Sequence, residues 1–105
     1  MRFDLPESIA AMRTGRKKQT RRRSPYWLNK KPGDRITIVH KGEYLGHATV
    51  VRAWEHRLGQ MREPAAQAEG YKNLMGFLIA WADLYSHVRL SETVYAIEFK
   101  DIRWK

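Results

Sequence analysis

Lys17, Thr20 and Arg22 have the types and the spacing for chemistry. They lie in Gly15-Arg16-Lys17-Lys18-Gln19-Thr20-Arg21-Arg22, which reads G-x-K-x-x-T-x-R. The stretch reads as extended, because Gly15 opens it and Ser24-Pro25 follows it, and neither favours a long helix. On a strand, residues two apart share a face, so Thr20 and Arg22 point the same way. A bend after Gly15 swings the long Lys17 stem onto that face. The product is a hydroxyl with an amine within reach, in a strongly positive field. A hydroxyl attacks a carbonyl once a base takes its proton, and a lysine is such a base only when neutral. Arg16, Lys18, Arg21 and Arg22 push Lys17 that way, because like charge disfavours the protonated amine.

The positive field extends beyond these residues. Twenty Lys and Arg stand against eleven Asp and Glu, a formal charge of +9, and Arg13, Arg16, Lys17, Lys18, Arg21, Arg22 and Arg23 crowd one short stretch. Clustered charge of this kind attracts polyanions, so the run is a candidate grip on phosphate. Tyr26 and Trp27 follow it directly and are candidates for stacking on a base as well as for the core. Trp54 and Trp81 read as core. With no cysteine there is no disulfide framework and no thiolate zinc site. His40 and His47 flank a hairpin turn and could oppose each other across it, but no carboxylate or cysteine stands at metal-site spacing beside them. His56 and His87 are isolated. Neither a metal nor a cofactor is expected.

The 105 residues fit one domain, residues 1–105. No apolar run approaches the roughly 20 residues of a membrane span, and the N-terminal residues lack the apolar segment of a secretory signal. The expectation is a cytoplasmic monomer without a membrane partner.

The elements that must position the motif read as follows. Residues 4–14 form a short helix, with Asp4 and Glu7 at capping-box spacing and Leu5, Ile9 and Met12 on one face. Gly15 closes it. Residues 17–23 are a strand or extended loop. Asn29 to Asp34 is a turn. Arg35 to His40 is a strand, Lys41-Gly42-Glu43 a hairpin turn, and a second strand runs from about Tyr44 to Trp54, with Gly46 at a bulge or close approach. Residues 55–68 are a loop with a short helix after Pro64. Glu69 to Asn73 is a turn leading to a second main helix capped by Asn73, on which Leu74, Phe77, Leu78, Trp81 and Leu84 form an apolar stripe. Thr93 to Phe99 is a strand that can extend to Trp104. The order of elements favours an α+β, mainly β domain, a small mixed barrel with two or three flanking helices.

These residues resemble the ASCH family, small domains related to the PUA fold. The G-x-K-x-x-T-x-R stretch looks like the family's signature. Pro32-Gly33-Asp34 entering the strand Arg35-Ile36-Thr37-Ile38 looks like its "PGD" turn, and Glu69-Gly70-Tyr71 before an amphipathic helix looks like its glutamate-glycine-aromatic element. The closing strand Val94 to Phe99 also fits. The resemblance implies a PUA-like β-barrel with helices packed outside and a cleft at one side. Some small bacterial members are amidohydrolases that remove the acetyl group from N(4)-acetylcytidine. By motif, their catalytic set corresponds to Lys17, Thr20 and Glu69. In that reading Glu69 orients Lys17 or protonates the leaving group, and Arg22 holds the oxyanion or a ligand phosphate. Arg16, Lys18, Arg21, Arg22, Arg23, Tyr26, Trp27 and Tyr71 are then the candidates for binding RNA or a modified nucleoside. Two alternatives stay open: a non-catalytic RNA-binding module on the same cleft, and a ribonuclease with Lys17 and Arg22 on phosphate and Glu69 as general base.

Overall fold

A computed structural model describes residues 1–105. Its centre is one antiparallel sheet of four strands, β1 (Gln19–Arg22), β2 (Arg35–His40), β3 (Glu43–Arg57) and β4 (Thr93–Trp104), in the order β1-β4-β3-β2. The sheet curls into a half-barrel, so the expected barrel is present in open form. Three helices pack around it: α1 (Pro6–Arg13), α2 (Glu63–Ala68) and α3 (Leu74–Tyr85).

The β2–β3 hairpin turns through Lys41 and Gly42, both at positive φ, as a two-residue loop requires for strands of right-handed twist. The register shifts at Ile38/Val39 opposite Gly46, the bulge expected there. Strand β3 runs three residues past the expected end, to Arg57. His47 pairs with Thr37 and His40 with Glu43, so the two histidines are not opposite each other, because the two-residue turn sets a different register. His40 Nδ1 instead meets the Phe3 carbonyl at 2.7 Å.

The two edges, β1 and β2, are linked by the first residues of the chain. Phe3 N–H donates to the Val39 carbonyl at 2.7 Å and Val39 N–H to the Met1 carbonyl at 3.0 Å, which covers the β2 edge. From β1, Arg22 Nη2 donates to the Arg2 carbonyl at 2.7 Å. Asp4 does not cap α1. Its carboxylate accepts from Lys41 N–H and from Arg2, so Leu5 is the N-cap residue and no side chain caps that end.

Two apolar clusters hold the fold, and β4 serves both because its alternate residues face opposite ways. Ile97 and Phe99 join Phe3, Met12, Ile36, Ile38, Ala48 and Val50. Val94 joins Leu58, Met61, Ala66, Phe77 and Trp81 under α2 and α3. Asn73 caps α3 as expected, its side chain accepting from Gly76 N–H at 2.8 Å. Trp81 is buried as expected, whereas Leu84 at the end of the stripe is exposed. Trp54 is half-buried rather than core: the Arg52 guanidinium lies over its ring at 4.1 Å. No helix is long and apolar enough to cross a membrane.

Candidate functional site

Two helix ends position the site. Helix α1 closes with Gly15 at φ 78°, Gly15 N–H donating to the Met12 carbonyl at 3.2 Å and Arg16 N–H to the Ala11 carbonyl at 2.9 Å. Helix α2 closes in the same way around its C-cap residue, Glu69. Gly70 at φ 102° donates to the Gln67 carbonyl at 2.9 Å, and Tyr71 N–H donates to the Ala66 carbonyl at 3.1 Å. Both are closures in which a left-handed glycine turns the chain back over the last helical carbonyls. A single backbone bond, Lys18 N–H to the Ala68 carbonyl at 2.6 Å, joins the two ends. A Cβ on Gly70 would sit 2.9 Å from the Ala11 Cβ and 3.4 Å from the Lys17 Cβ, so only glycine lets the Glu69 turn lie this close to Lys17.

The result is a compact polar cluster. Lys17 Nζ donates to Glu69 Oε1 at 3.1 Å and to the Glu69 carbonyl at 3.0 Å. Arg21 Nη1 donates to Glu69 Oε2 at 3.0 Å. Both carboxylate oxygens are therefore occupied, one by the lysine amine and one by the Arg21 guanidinium. The polar or charged residues among the buried ones are Lys17, Thr20, Arg21 and Glu69, and no others. Buried charge carries a desolvation cost that its own pairing often fails to repay, so a cluster like this is weak evidence for stability and better evidence for a site.

Thr20 and Arg22 share a face, as the strand reading requires, and Arg22 Nη1 lies 2.5 Å from Thr20 Oγ1. A guanidinium has no acceptor, so the threonine oxygen accepts and its own proton stays available to another acceptor. Burial holds the Lys17 amine below its usual value, the Glu69 carboxylate pulls it back up, and Arg22 and Arg21 lower it further. The main cause is thus burial, where the sequence pointed to like charge. Arg16 and Lys18 take no part, because both are exposed to water.

A cavity of about 240 Å³ is lined by Lys17, Thr20, Arg22 and Glu69 and by aromatic side chains, Tyr71, Trp81 and Tyr85 among them. Burial and the Glu69 charge push the Tyr71 phenol up to about 12. The basic run does not form one patch, because successive side chains leave the backbone on different sides. Arg16 bonds Thr14 and stays exposed, the Lys18 side chain is exposed, and Arg23 pairs with Glu92 at 2.6 Å. Arg21 is tied up with Glu69. Tyr26 and Trp27, in a 3-10 turn over Pro25–Asn29, stack edge to face on each other outside the cavity, and Trp27 packs against the core.

One residue of the network is invisible in the motif: His56, whose Nε2 accepts from Arg21 Nε at 2.9 Å. The signal for it is strand alternation. Once β3 continues to Arg57, Trp54 and His56 fall on one face, beside Ala96 and Arg21 in the paired register. Among the residues present, no group of His, Asp or Glu could hold a metal ion.

No family model matches the sequence, and no curated protein matches it. Solved structures do match in shape. An ASCH domain from Lactobacillus crispatus JV V101 superposes with a TM-score of 0.79 at 17% identity, over 98% of this chain and 77% of that one. An ASCH protein from Zymomonas mobilis gives 0.62 at 18% identity, over 98% and 68%. A crystallised hypothetical protein gives 0.66 at 21% identity, over 95% and 98%. At this identity the likeness establishes the fold.

Proposed function

We propose that this chain is an ASCH-type hydrolase of an amide on a modified pyrimidine nucleoside, with N(4)-acetylcytidine as the first substrate to test. One observation carries the reading: the buried polar residues Lys17, Thr20, Arg21 and Glu69 all line one cavity. Its volume of about 240 Å³ lies just below the roughly 300–1,000 Å³ usual for drug-sized ligands, which suits a single nucleoside. Its aromatic wall supplies a surface for a base to stack on.

In this reading neutral Lys17 takes the Thr20 hydroxyl proton as the oxygen attacks the acetyl carbonyl. Arg22 stabilises charge on the oxygen through the hydrogen bond already in place. The C–N bond breaks, the cytosine amine leaves with the proton returned by Lys17, and the acetyl group stays on Thr20 until water releases it as acetate. Glu69 orients Lys17 and balances its charge between steps.

The second reading is a non-catalytic RNA-binding module, favoured by the +9 charge, which a free nucleoside does not require. Incubation of the purified protein with N(4)-acetylcytidine, followed by chromatography, separates the two. Cytidine that appears with the wild type and vanishes with Thr20→Ala supports hydrolysis. Equal turnover by wild type and variant removes Thr20 from the mechanism. No turnover, with RNA affinity that falls steeply as salt rises, supports the module instead.

A further inference from the structure

We infer that His56 is a positioning residue for the Lys17–Glu69 pair: as a neutral ring protonated on Nδ1, it holds the Arg21 guanidinium on the Glu69 carboxylate. The geometry leaves one assignment of the imidazole. Arg21 Nε can only donate, and it lies 2.9 Å from His56 Nε2, so Nε2 carries a lone pair. The Arg57 carbonyl can only accept, and it lies 2.7 Å from His56 Nδ1, so Nδ1 carries the proton. A doubly protonated ring has no acceptor and cannot make the Arg21 contact.

The chain of contacts reaches the cavity without a break. His56 holds Arg21 Nε, Arg21 Nη1 holds Glu69 Oε2, and Glu69 Oε1 holds Lys17 Nζ. With Arg21 in place, the carboxylate divides its attraction between two cations, which weakens its hold on the Lys17 proton. Without Arg21, Glu69 faces Lys17 alone and keeps it charged.

His56 is also the member of this chain open to water. It lines a surface hollow of about 450 Å³ on the opposite side of Arg21 from the cavity, together with Arg52, Trp54 and Arg62. The charged groups around the ring are Arg21 from β1, Arg52 on β3, which pairs with Glu98 of β4 at 3.2 Å, and Glu69 and Arg62 at the two ends of α2; Arg57 meets the ring through its carbonyl, and the β4 partner, Val94, carries no charge. Burial holds the His56 pKa below 6.5, Arg21 adds to the effect, and the Arg57 carbonyl and Glu69 oppose it. When acid protonates His56, the ring loses its acceptor and repels the guanidinium. Arg21 keeps Gln19 and Glu69 through Nη1 but loses the contact that fixes its Nε, so its place on the Glu69 carboxylate is no longer held and the carboxylate's grip on Lys17 changes.

The kinetic consequence rests on the reading of the cavity as a hydrolase; the tautomer and the Arg21 contact do not. The full chain, isotope-labelled on nitrogen, is followed by NMR as pH falls. The expected result is an Nδ1–H tautomer near neutral pH and an Arg21 Nε signal that shifts together with the ring, at a midpoint below 6.5. An Nε2–H tautomer, or an Arg21 signal indifferent to the ring, overturns the assignment. Turnover of acetylcytidine is measured against pH in parallel. His56→Gln keeps an acceptor that does not titrate, so it should hold neutral-pH turnover and lose the acid-side decline due to His56. His56→Ala lacks the contact at every pH, so its turnover should fall below the wild type near neutral pH and converge with it on the acid side. A His56→Gln profile that superimposes on the wild type also overturns the inference. If the wild type turns nothing over, the hydrolase reading fails by itself and the NMR result decides the role of His56.

Discussion

Arg22 ties Thr20 to the backbone of Arg2: Nη1 donates to the threonine hydroxyl and Nη2 to the Arg2 carbonyl at 2.7 Å. One side chain therefore orients the candidate nucleophile and links the β1 edge to the segment that covers β2. Its guanidinium also lies 5.0 Å from the centre of the Phe3 ring. Arg22→Lys keeps the charge but not the planar fork, so it cannot serve both oxygens. The expected outcome is a loss of about 1.5–3 kcal/mol, the worth of a hydrogen bond to a charged group, read from urea unfolding. Turnover should fall by more than the loss of folded protein explains. A lysine variant with wild-type stability would show that the link does not hold the edge.

The Glu69 cluster predicts an asymmetry between its members. Glu69→Gln leaves Lys17 and Arg21 buried against a neutral amide. Removal of one partner from a buried ion pair costs about 3–5 kcal/mol. Lys17 escapes this cost as a neutral amine, but Arg21 cannot lose its charge. Lys17→Met is different, since Glu69 keeps Arg21 and the methionine fills the space of the lysine stem. Its loss in urea unfolding should be clearly smaller than that of Glu69→Gln. Equal losses would mean that Arg21 contributes nothing to holding the carboxylate.

Much of this site is written in local sequence, and the rest is not, for a physical reason. Gly15 marks a left-handed helix closure in the sequence, so the direction in which the chain enters Lys17 is legible, whereas Gly70 reads only as part of a turn and its closure of α2 emerges in the fold. The same-face relation of Thr20 and Arg22 follows from strand alternation. Arg21 was harder to read. One residue on from Thr20, it takes the opposite face, and its burial depends on a glutamate 48 positions away. His56 escapes local reading because the end of β3 is set by pairing with β4 and not by its own composition. The cause of the Lys17 shift divides on the same grounds: burial, the larger cause, arises only once two helix ends meet, whereas the charge of Arg22 and Arg21 is counted from sequence.

Gly70 and Gly15 both have positive φ, yet they should respond differently to alanine. At Gly15 an added Cβ meets nothing within 4 Å, so only backbone strain is introduced, about 1–3 kcal/mol for a non-glycine residue in that region. At Gly70 the same strain is joined by a contact of 2.9 Å with the Ala11 Cβ, and the turn that carries Glu69 must move away from α1. Gly70→Ala should therefore be the less stable of the two in thermal unfolding. It should also lose turnover at temperatures where it remains folded, while folded Gly15→Ala keeps most of it. Equal turnover in the two folded variants would mean that the Glu69 turn tolerates the shift.

The cavity should also shape how stability depends on pH, through two groups of opposite sign. The Tyr71 phenol is raised from 10.0 to about 12 in the folded chain. Below pH 10 the phenol is protonated in both states and its contribution is complete. As pH rises from 10 toward 12, the unfolded chain loses the proton first, so stability falls. Lys17 is lowered from 10.5. Between its folded value and 10.5 the unfolded chain binds a proton that the folded chain does not, so stability rises with pH until that window closes. The two together give a rise that turns over near pH 10. Urea unfolding from roughly pH 8 to 12 resolves both limbs. Lys17→Met should flatten the rise and leave the fall, whereas Tyr71→Phe should flatten the fall and leave the rise. If Lys17→Met leaves the rising limb intact, the folded lysine is not held below its ordinary value, and it cannot serve as the base at neutral pH.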